Sequence, residues 1–510
     1  MSTIRIAVRR SENLIDRIVI VGGGSAGFLT AITLKAKIPA LRVTLIHSPE
    51  IGIIGVGEGT TISVPIHLHD YLAIDIAEFF RVAEPIWKRG IRFLWGKRPF
   101  FDFPFGFQLH SKYAALPKHV GYYGNEDFDD VGLATAMMTR NRIFERNPDG
   151  SPRMSRDFAY HLENHSFVDY LQMYARRLGV VIEEGTVADV QQDDRGIAGL
   201  TLKDGRAFEG DLYIDCSGFR SMLLGKALQE PYISFSSSLF CDRAVTGGWE
   251  RAANEPIQCY TVAETMDHGW CWRIDHPARI NRGYVYSSSF VSDAEAEAEL
   301  LAKNPRIAKT RKVHYTTGRY ERQWVKNVVA IGNAGGFVEP LESTGISGVC
   351  VAAQNLTEML LDAERQVRPS MVKLFNHRMA ASWDTIRQFL ALHYKFNRRL
   401  DTPFWQACRE KTDLAGTETI VEFYQENGPT PIWHPTLVDR GDQFGAEGYL
   451  SMLLGMQVPF KRSREITPGE WNIWRQVKAY NVKRAQTAYS AEQMIAMIKM
   501  PQWSWGGYYK

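Results

Sequence analysis

The chain has 510 residues, 45% of them hydrophobic, and a formal net charge of only +3. Such a chain is globular with a large core, and a near-neutral balance without a long basic run gives no reason to expect nucleic acid as the partner. No apolar run approaches the roughly 18 residues of a membrane span. The six cysteines (Cys216, Cys241, Cys259, Cys271, Cys350, Cys408) form no C-x-x-C pair and share no metal-ligand spacing with histidine. No metal is therefore expected, and the thiols read as reduced and buried in a cytoplasmic protein. Arg9-Arg10 runs into Ser11-Glu12-Asn13 where a twin-arginine signal needs an apolar segment, so no targeting peptide is expected. Aromatic residues are plentiful, with 13 Trp, 21 Tyr and 26 Phe, enough to wall a pocket as well as fill a core.

Ile18-Val19-Ile20-Val21 reads as a short buried strand, and Gly22-Gly23-Gly24-Ser25-Ala26-Gly27 comes directly after it, before the helical pattern of Phe28, Ala31, Ile32 and Leu34. In that setting G-x-G-x-x-G is a dinucleotide signature. Gly22 allows the turn, Gly24 lets a pyrophosphate approach, and Gly27 lets strand and helix pack closely. The next strand, Val43-Thr44-Leu45-Ile46, ends at His47 where an acid usually holds ribose hydroxyls. Glu50 is the candidate substitute.

After Pro85, Trp87, Ile91, Phe93 and Trp95 alternate onto one face of a strand, with Lys88, Gly90 and Arg92 on the other. A lysine so placed is ordinarily solvated. Asp211-Leu212-Tyr213-Ile214-Asp215-Cys216-Ser217-Gly218 and Val328-Val329-Ala330-Ile331-Gly332-Asn333-Ala334-Gly335 each read as a buried strand entering a small-residue turn, suited to a long dinucleotide held by distant segments. Trp270 and Trp272 fit a strand with both indoles on one face, which core packing alone would explain.

From Gly345 the apolar residues Ile346, Val349, Ala353, Leu356 and Leu360 recur at three- and four-residue steps, so a helix starts there. Its first amides lack internal partners and carry the positive end of the dipole, which suits a small anion on Thr344 and Gly345 beside the acid Glu342. The simpler reading is that Ser343 or Thr344 caps the helix and Glu342 complements its dipole.

These segments together resemble the flavin-dependent halogenases of the tryptophan halogenase family, within the flavoprotein monooxygenase superfamily, over nearly the whole chain. The matching motifs are the glycine loop; Gly55-Val56-Gly57-Glu58; Lys88 in Trp-Lys-Arg-Gly-Ile-Arg-Phe; Asp215-Cys216-Ser217-Gly218; Trp270-Cys271-Trp272-Arg273-Ile274; Gly283-Tyr284-Val285-Tyr286; Pro340-Leu341-Glu342-Ser343-Thr344-Gly345; and His393-Tyr394. Asp275 departs from the pattern, since the family's W-x-W-x-I-P ends in proline.

The resemblance implies an α/β fold: an FAD-binding Rossmann-like module over residues 1–350, and a mainly helical subdomain over 351–510 covering a substrate tunnel, with Trp383, Phe389, Trp405 and Phe423 in its helices. It also implies an FAD site at Gly22, Gly24, Ser25, Ala26, Gly27, His47, Val187, Gly332, Asn333 and Ile346. Reduced FAD, O2 and a halide would give hypohalous acid, the halide resting on Thr344 and Gly345. Lys88 would receive the oxidant, and Glu342 supported by Ser343 would stabilise the cationic ring and help remove its proton. Phe103 and Phe105 align with positions that sandwich the substrate. The segment gripping the amino-acid group of free tryptophan is not recognisable in Phe444-Gly445-Ala446-Glu447-Gly448-Tyr449-Leu450, and Tyr508-Tyr509 lies at the extreme end. A small indole is thus the expected substrate. Bromide is more easily oxidised than chloride, although no motif encodes the choice. A separate NAD(P)H-dependent flavin reductase and a homodimer complete the expected partners. The competing readings are an FAD-dependent aromatic hydroxylase and a non-catalytic flavin-binding protein.

Overall fold

The computed structural model describes residues 14–52, 57–106, 109, 113–119, 121–123, 129–434, 436–438, 442–461 and 465–506. Arg9 to Asn13, Gly55 and Val56, parts of the 94–123 region and the Tyr508-Tyr509 pair fall outside them.

A six-stranded sheet carries the nucleotide signature. Its order is Val181–Glu184, Arg42–His47, Arg17–Val21, Leu212–Asp215, Val328–Ala330 and Trp324–Val325. The first five run parallel and the last is antiparallel. Residues 18 to 21 are nearly all water-free on both faces, as parallel strands under helices require. The Ser25–Lys37 helix covers one face and packs against the Gly345–Asp362 helix; Phe28, Ile32, Ile346, Val349, Leu356 and Leu360 share one core. The second helix begins at the expected Gly345, whereas the first begins at Ser25, three residues ahead of the pattern read from Phe28.

The glycine turn is dictated by crowding. Gly22 has φ +128°, and a Cβ there would sit 2.2 Å from the Cys216 carbonyl oxygen. At Gly27 it would sit 1.8 Å from the Gly22 carbonyl oxygen. Gly27→Ala is therefore expected to force the helix off the strand, costing on the order of 1–3 kcal/mol and weakening flavin binding, as thermal denaturation and a flavin titration would record. Beyond the neighbouring strand, Asp215 accepts from the amides of Ser217, Leu223 and Leu224 and from the Ser217 hydroxyl, which fixes the turn after it.

A second, seven-stranded sheet has the order Thr310–His314, Arg243–Glu250, Arg279–Tyr286, Gly269–Asp275, Thr261–Met266, Gly90–Leu94 and Phe101–Pro104. Here the structure corrects the single strand expected from Trp87 to Trp95. Ile86–Lys88 pairs with Ala159–Leu162, whereas Gly90–Leu94 pairs with Phe101–Pro104 and Thr261–Met266. The chain switches sheets at Arg89, whose amide donates to the Cys259 carbonyl and whose carbonyl accepts from the Phe105 amide. Trp87 accordingly packs on Phe80 in one core, and Ile91, Phe93 and Trp95 enter another. The alternation was real, but the switch separated its members.

Asp275 is fully buried at the end of its strand, where it takes two bonds from the Arg273 guanidinium and one from the Gln258 amide. A carboxylate there ties two segments that proline could not. After Asp362 the chain is mainly helical, with helices at Pro369–Phe396, Pro403–Lys411, Glu418–Asn427, Gly445–Gly455, Pro468–Thr487 and Ala491–Ile498. Trp383, Phe389, Trp405 and Phe423 lie in the first three, as read from the sequence. All six cysteines are free and buried. Among the described residues, no helix is long and apolar enough to cross a membrane.

Candidate active site

The glycine loop opens on a cleft of about 830 Å³, within the size range of cofactor sites. Gly22, Gly24, Ser25, Ala26, His47, Val187, Gly332, Asn333 and Ile346 all line it; Gly27 instead supports the turn from beneath. A Cβ on Gly24 would meet nothing within 4 Å, so the backbone there faces open space at a helix mouth without a side-chain cap. Its amides are free to meet phosphate oxygens, and the residues fit a dinucleotide.

Glu50, the candidate ribose acid, is not among the residues lining the cleft. Its carboxylate is exposed and bonded to the Lys203 ammonium, whose hydrogen bond and charge hold it below the ordinary carboxylate range. The acids that do line the cleft are Glu58 and Asp169, and Glu58 is bonded by Asn164 and pushed by burial up to about 7. In the sequence Gly57-Glu58 stands out only as a motif, and nothing local signals that burial.

At the far end, Ser343, Thr344 and Gly345 also line the cleft. The Gly345–Asp362 helix has no side-chain cap, so neither hydroxyl plays the capping role. Ser343 is left-handed at φ +58°, and its Oγ accepts a 2.7 Å hydrogen bond from Lys88 Nζ. Lys88 itself is not solvated but wholly buried, with a second bond to the Thr60 carbonyl at 3.0 Å. Burial lowers it to about 7, against the opposing pull of the Glu342 charge. At neutral pH both protonation states are thus accessible, which a solvated lysine cannot offer.

Glu342 is equally buried, and burial raises it above the ordinary carboxylate range while His393 and Lys88 act the other way. Its Oε1 lies 2.7 Å from His393 Nε2. His393 Nδ1 lies 2.8 Å from the Phe389 carbonyl, which can only accept, so Nδ1 carries hydrogen. One proton must then be shared between Nε2 and Glu342: either imidazolium and carboxylate or their neutral forms. His393 appears in the sequence only as part of a motif, and its partner is 51 residues away.

Phe105 lies with its ring centroid 5.2 Å from Lys88 Nζ. Phe103 turns into the core against Phe389, which stacks on Phe444 at 3.8 Å. In the late segment, Glu447 Oε1 accepts from the Leu109 amide at 3.0 Å, and the Tyr449 hydroxyl donates to Asp442.

A dinucleotide cleft ending at an uncapped helix, beside a buried lysine and carboxylate, has the construction of a flavin-dependent halogenase. The family profile described as Tryptophan halogenase matches residues 17–469. The chain belongs to the tryptophan halogenase family, and it is an enzyme of the flavin-dependent halogenase class. It is 33% identical to the tryptophan 7-halogenase KtzQ of Kutzneria sp. (strain 744), over 85% of this chain and 86% of that one. With the tryptophan 7-halogenase RebH of Lentzea aerocolonigenes it shares 33% identity, over 81% and 82%. Among solved structures it resembles MibH, a lathipeptide tryptophan 5-halogenase, at 37% identity and TM-score 0.88, covering 97% of this chain and 95% of that one.

Proposed function

We propose that this enzyme halogenates the ring of a small indole, using reduced FAD from a separate flavin reductase, O2 and bromide or chloride. The observation that carries the reading is the 2.7 Å bond between Lys88 Nζ and Ser343 Oγ, which joins the buried lysine to the loop lining the flavin cleft. Bound flavin would supply the oxidation of halide to hypohalous acid. The Thr344 and Gly345 amides would hold the halide at the positive helix end, and Gly22 to Ala26, His47, Val187, Gly332, Asn333 and Ile346 would hold FAD. Lys88 receives the oxidant, its ammonium form donating to the departing oxygen. As the carbon–halogen bond forms and the oxygen–halogen bond breaks, positive charge spreads on the ring. Glu342 stabilises that charge and takes the ring proton, which His393 shares. The 1–350 module thereby supplies oxidant, and the helices from 351 onward close the substrate side.

Glu447 and Tyr449 are committed to internal bonds, so among the described residues the 444–450 segment has no evident hold on a zwitterion. Free indole is therefore expected to show higher kcat/KM than free tryptophan, with halogen at C3, the most nucleophilic carbon. The test is purified protein with FAD, flavin reductase, NADH and halide against indole, tryptophan and a tryptophan-containing peptide, read by mass spectrometry. Preference for free tryptophan with benzo-ring substitution would overturn the substrate reading, and an oxygenated product without halogen would favour the hydroxylase. A homodimer is proposed for the working enzyme.

A further inference from the structure

Between the cleft and the Gly345 helix, the chain from Glu339 to Glu342 makes one tight turn, Pro340–Glu342. Both acids bounding it are buried, yet only Glu342 has a place in the proposed reaction. Glu339 has no exposure, and its Oε1 accepts two donors: the Trp270 indole N–H at 3.0 Å and the Tyr394 hydroxyl. Its Oε2 has no hydrogen-bond partner. Burial pushes Glu339 up to about 7 in spite of both donors.

The donors belong to elements already fixed. Trp270 sits within a seven-residue central strand of the second sheet, and Tyr394 is the neighbour of His393 on the Pro369–Phe396 helix. Successive helical side chains diverge by about 100°, so His393 and Tyr394 reach two different points of the turn, His393 meeting Glu342 and Tyr394 meeting Glu339. The turn is thus clamped at both acids by consecutive residues of one helix, and the strand holds the first acid from another side. Immediately after the turn comes Ser343, left-handed and strained for a side chain with a Cβ. Its peptide planes set the direction of the Thr344 and Gly345 amides.

Resting on the proposed halogenase function, we infer that Glu339, held by Trp270 and Tyr394, is a positioning residue for halide binding. It fixes where the 339–345 loop enters the cleft and hence where those two amides converge. Trp270 then acts on the halide through Glu339, without touching halide, flavin or substrate. Losing a donor to a buried carboxylate loosens the loop entrance, while the Thr60 carbonyl still holds Lys88 and His393 still holds Glu342.

The experiment uses full-length, FAD-loaded protein and sodium bromide. Bromide-induced elevation of Tm gives halide binding without turnover, and steady-state kinetics with indole give the separate KM values. Tyr394→Phe and Trp270→Phe keep an aromatic ring in place while deleting one donor each. Each is expected to need about tenfold more bromide for the same Tm rise and to show a similar increase in bromide KM, with indole KM and flavin affinity unchanged. Glu339→Gln retains an oxygen acceptor and should restore most of the bromide affinity that Glu339→Leu loses. Bromide titrations of Tyr394→Phe and Trp270→Phe that superimpose on the wild type would overturn the proposal. So would parallel weakening of bromide, indole and flavin, which signals general loosening. A wild-type enzyme that makes no halogenated product would defeat the halogenase function instead, because the bromide titration stands apart from turnover.

Discussion

Lys88→Ala should reduce halogenation by on the order of 10³-fold or more, the scale of removing a residue that handles the reacting group, while flavin binding stays intact. Lys88 does not line the cleft, and the glycine loop does not depend on it. Flavin oxidation should therefore continue, and hypohalous acid should appear in solution, where a diffusible trap can collect it. Near-normal ring halogenation in this variant would show that the lysine does not receive the oxidant. Lys88→Met carries a second expectation. The folded-state lysine is depressed to about 7, whereas in the unfolded chain it titrates near 10.4. The unfolded chain therefore binds the extra proton between those values, so wild-type stability rises with pH across that window and bears the full cost of burial below about 7. The gain in Tm from Lys88→Met should accordingly be larger at pH 6 than at pH 9.

Glu342→Gln should lower kcat by about 10²–10³-fold with little change in indole KM, the pattern of an interaction made mainly in the transition state. The amide keeps the shape of the side chain but can neither balance a cationic ring nor take its proton. In the wild type, Glu342 titrates above the ordinary carboxylate range. Activity should fall as pH drops through that raised value, and the acid limb should disappear from the profile of the variant. An unchanged kcat would mean that another group removes the ring proton.

The features legible in the sequence were local in origin. The glycine turn at residue 22 and the helix start at residue 345 arise from steric need and from apolar spacing, and both could be placed before any coordinates. Lys88 was recognised through its motif, but its burial was not, because that depends on a sheet switch at Arg89 whose bonds go to Cys259 and Phe105. The partner of Glu342 was hidden for a related reason: His393 reaches it only once the end of a 28-residue helix packs against Phe93 of the second sheet. Glu50 misled because proximity in sequence to His47 says nothing of Lys203, 153 residues away. The Phe103-Pro104-Phe105 pattern is open between wall and core; Phe105 lies beside the lysine and Phe103 packs on Phe389.

An enzyme that makes hypohalous acid is the first molecule its own product meets, and thiolates are the side chains that such an oxidant converts along an increasingly irreversible ladder. In this protein every cysteine is buried, and burial raises the thiols of Cys216, Cys241, Cys259, Cys271, Cys350 and Cys408 above the ordinary thiol range. They are held in the protonated form, which is the unreactive one. Sulfur reaches the surface instead at thioethers such as Met173 and Met500, where oxidation to the sulfoxide can be enzymatically undone. The same packing that builds the core thus sets the working lifetime of the catalyst in the presence of its own oxidant.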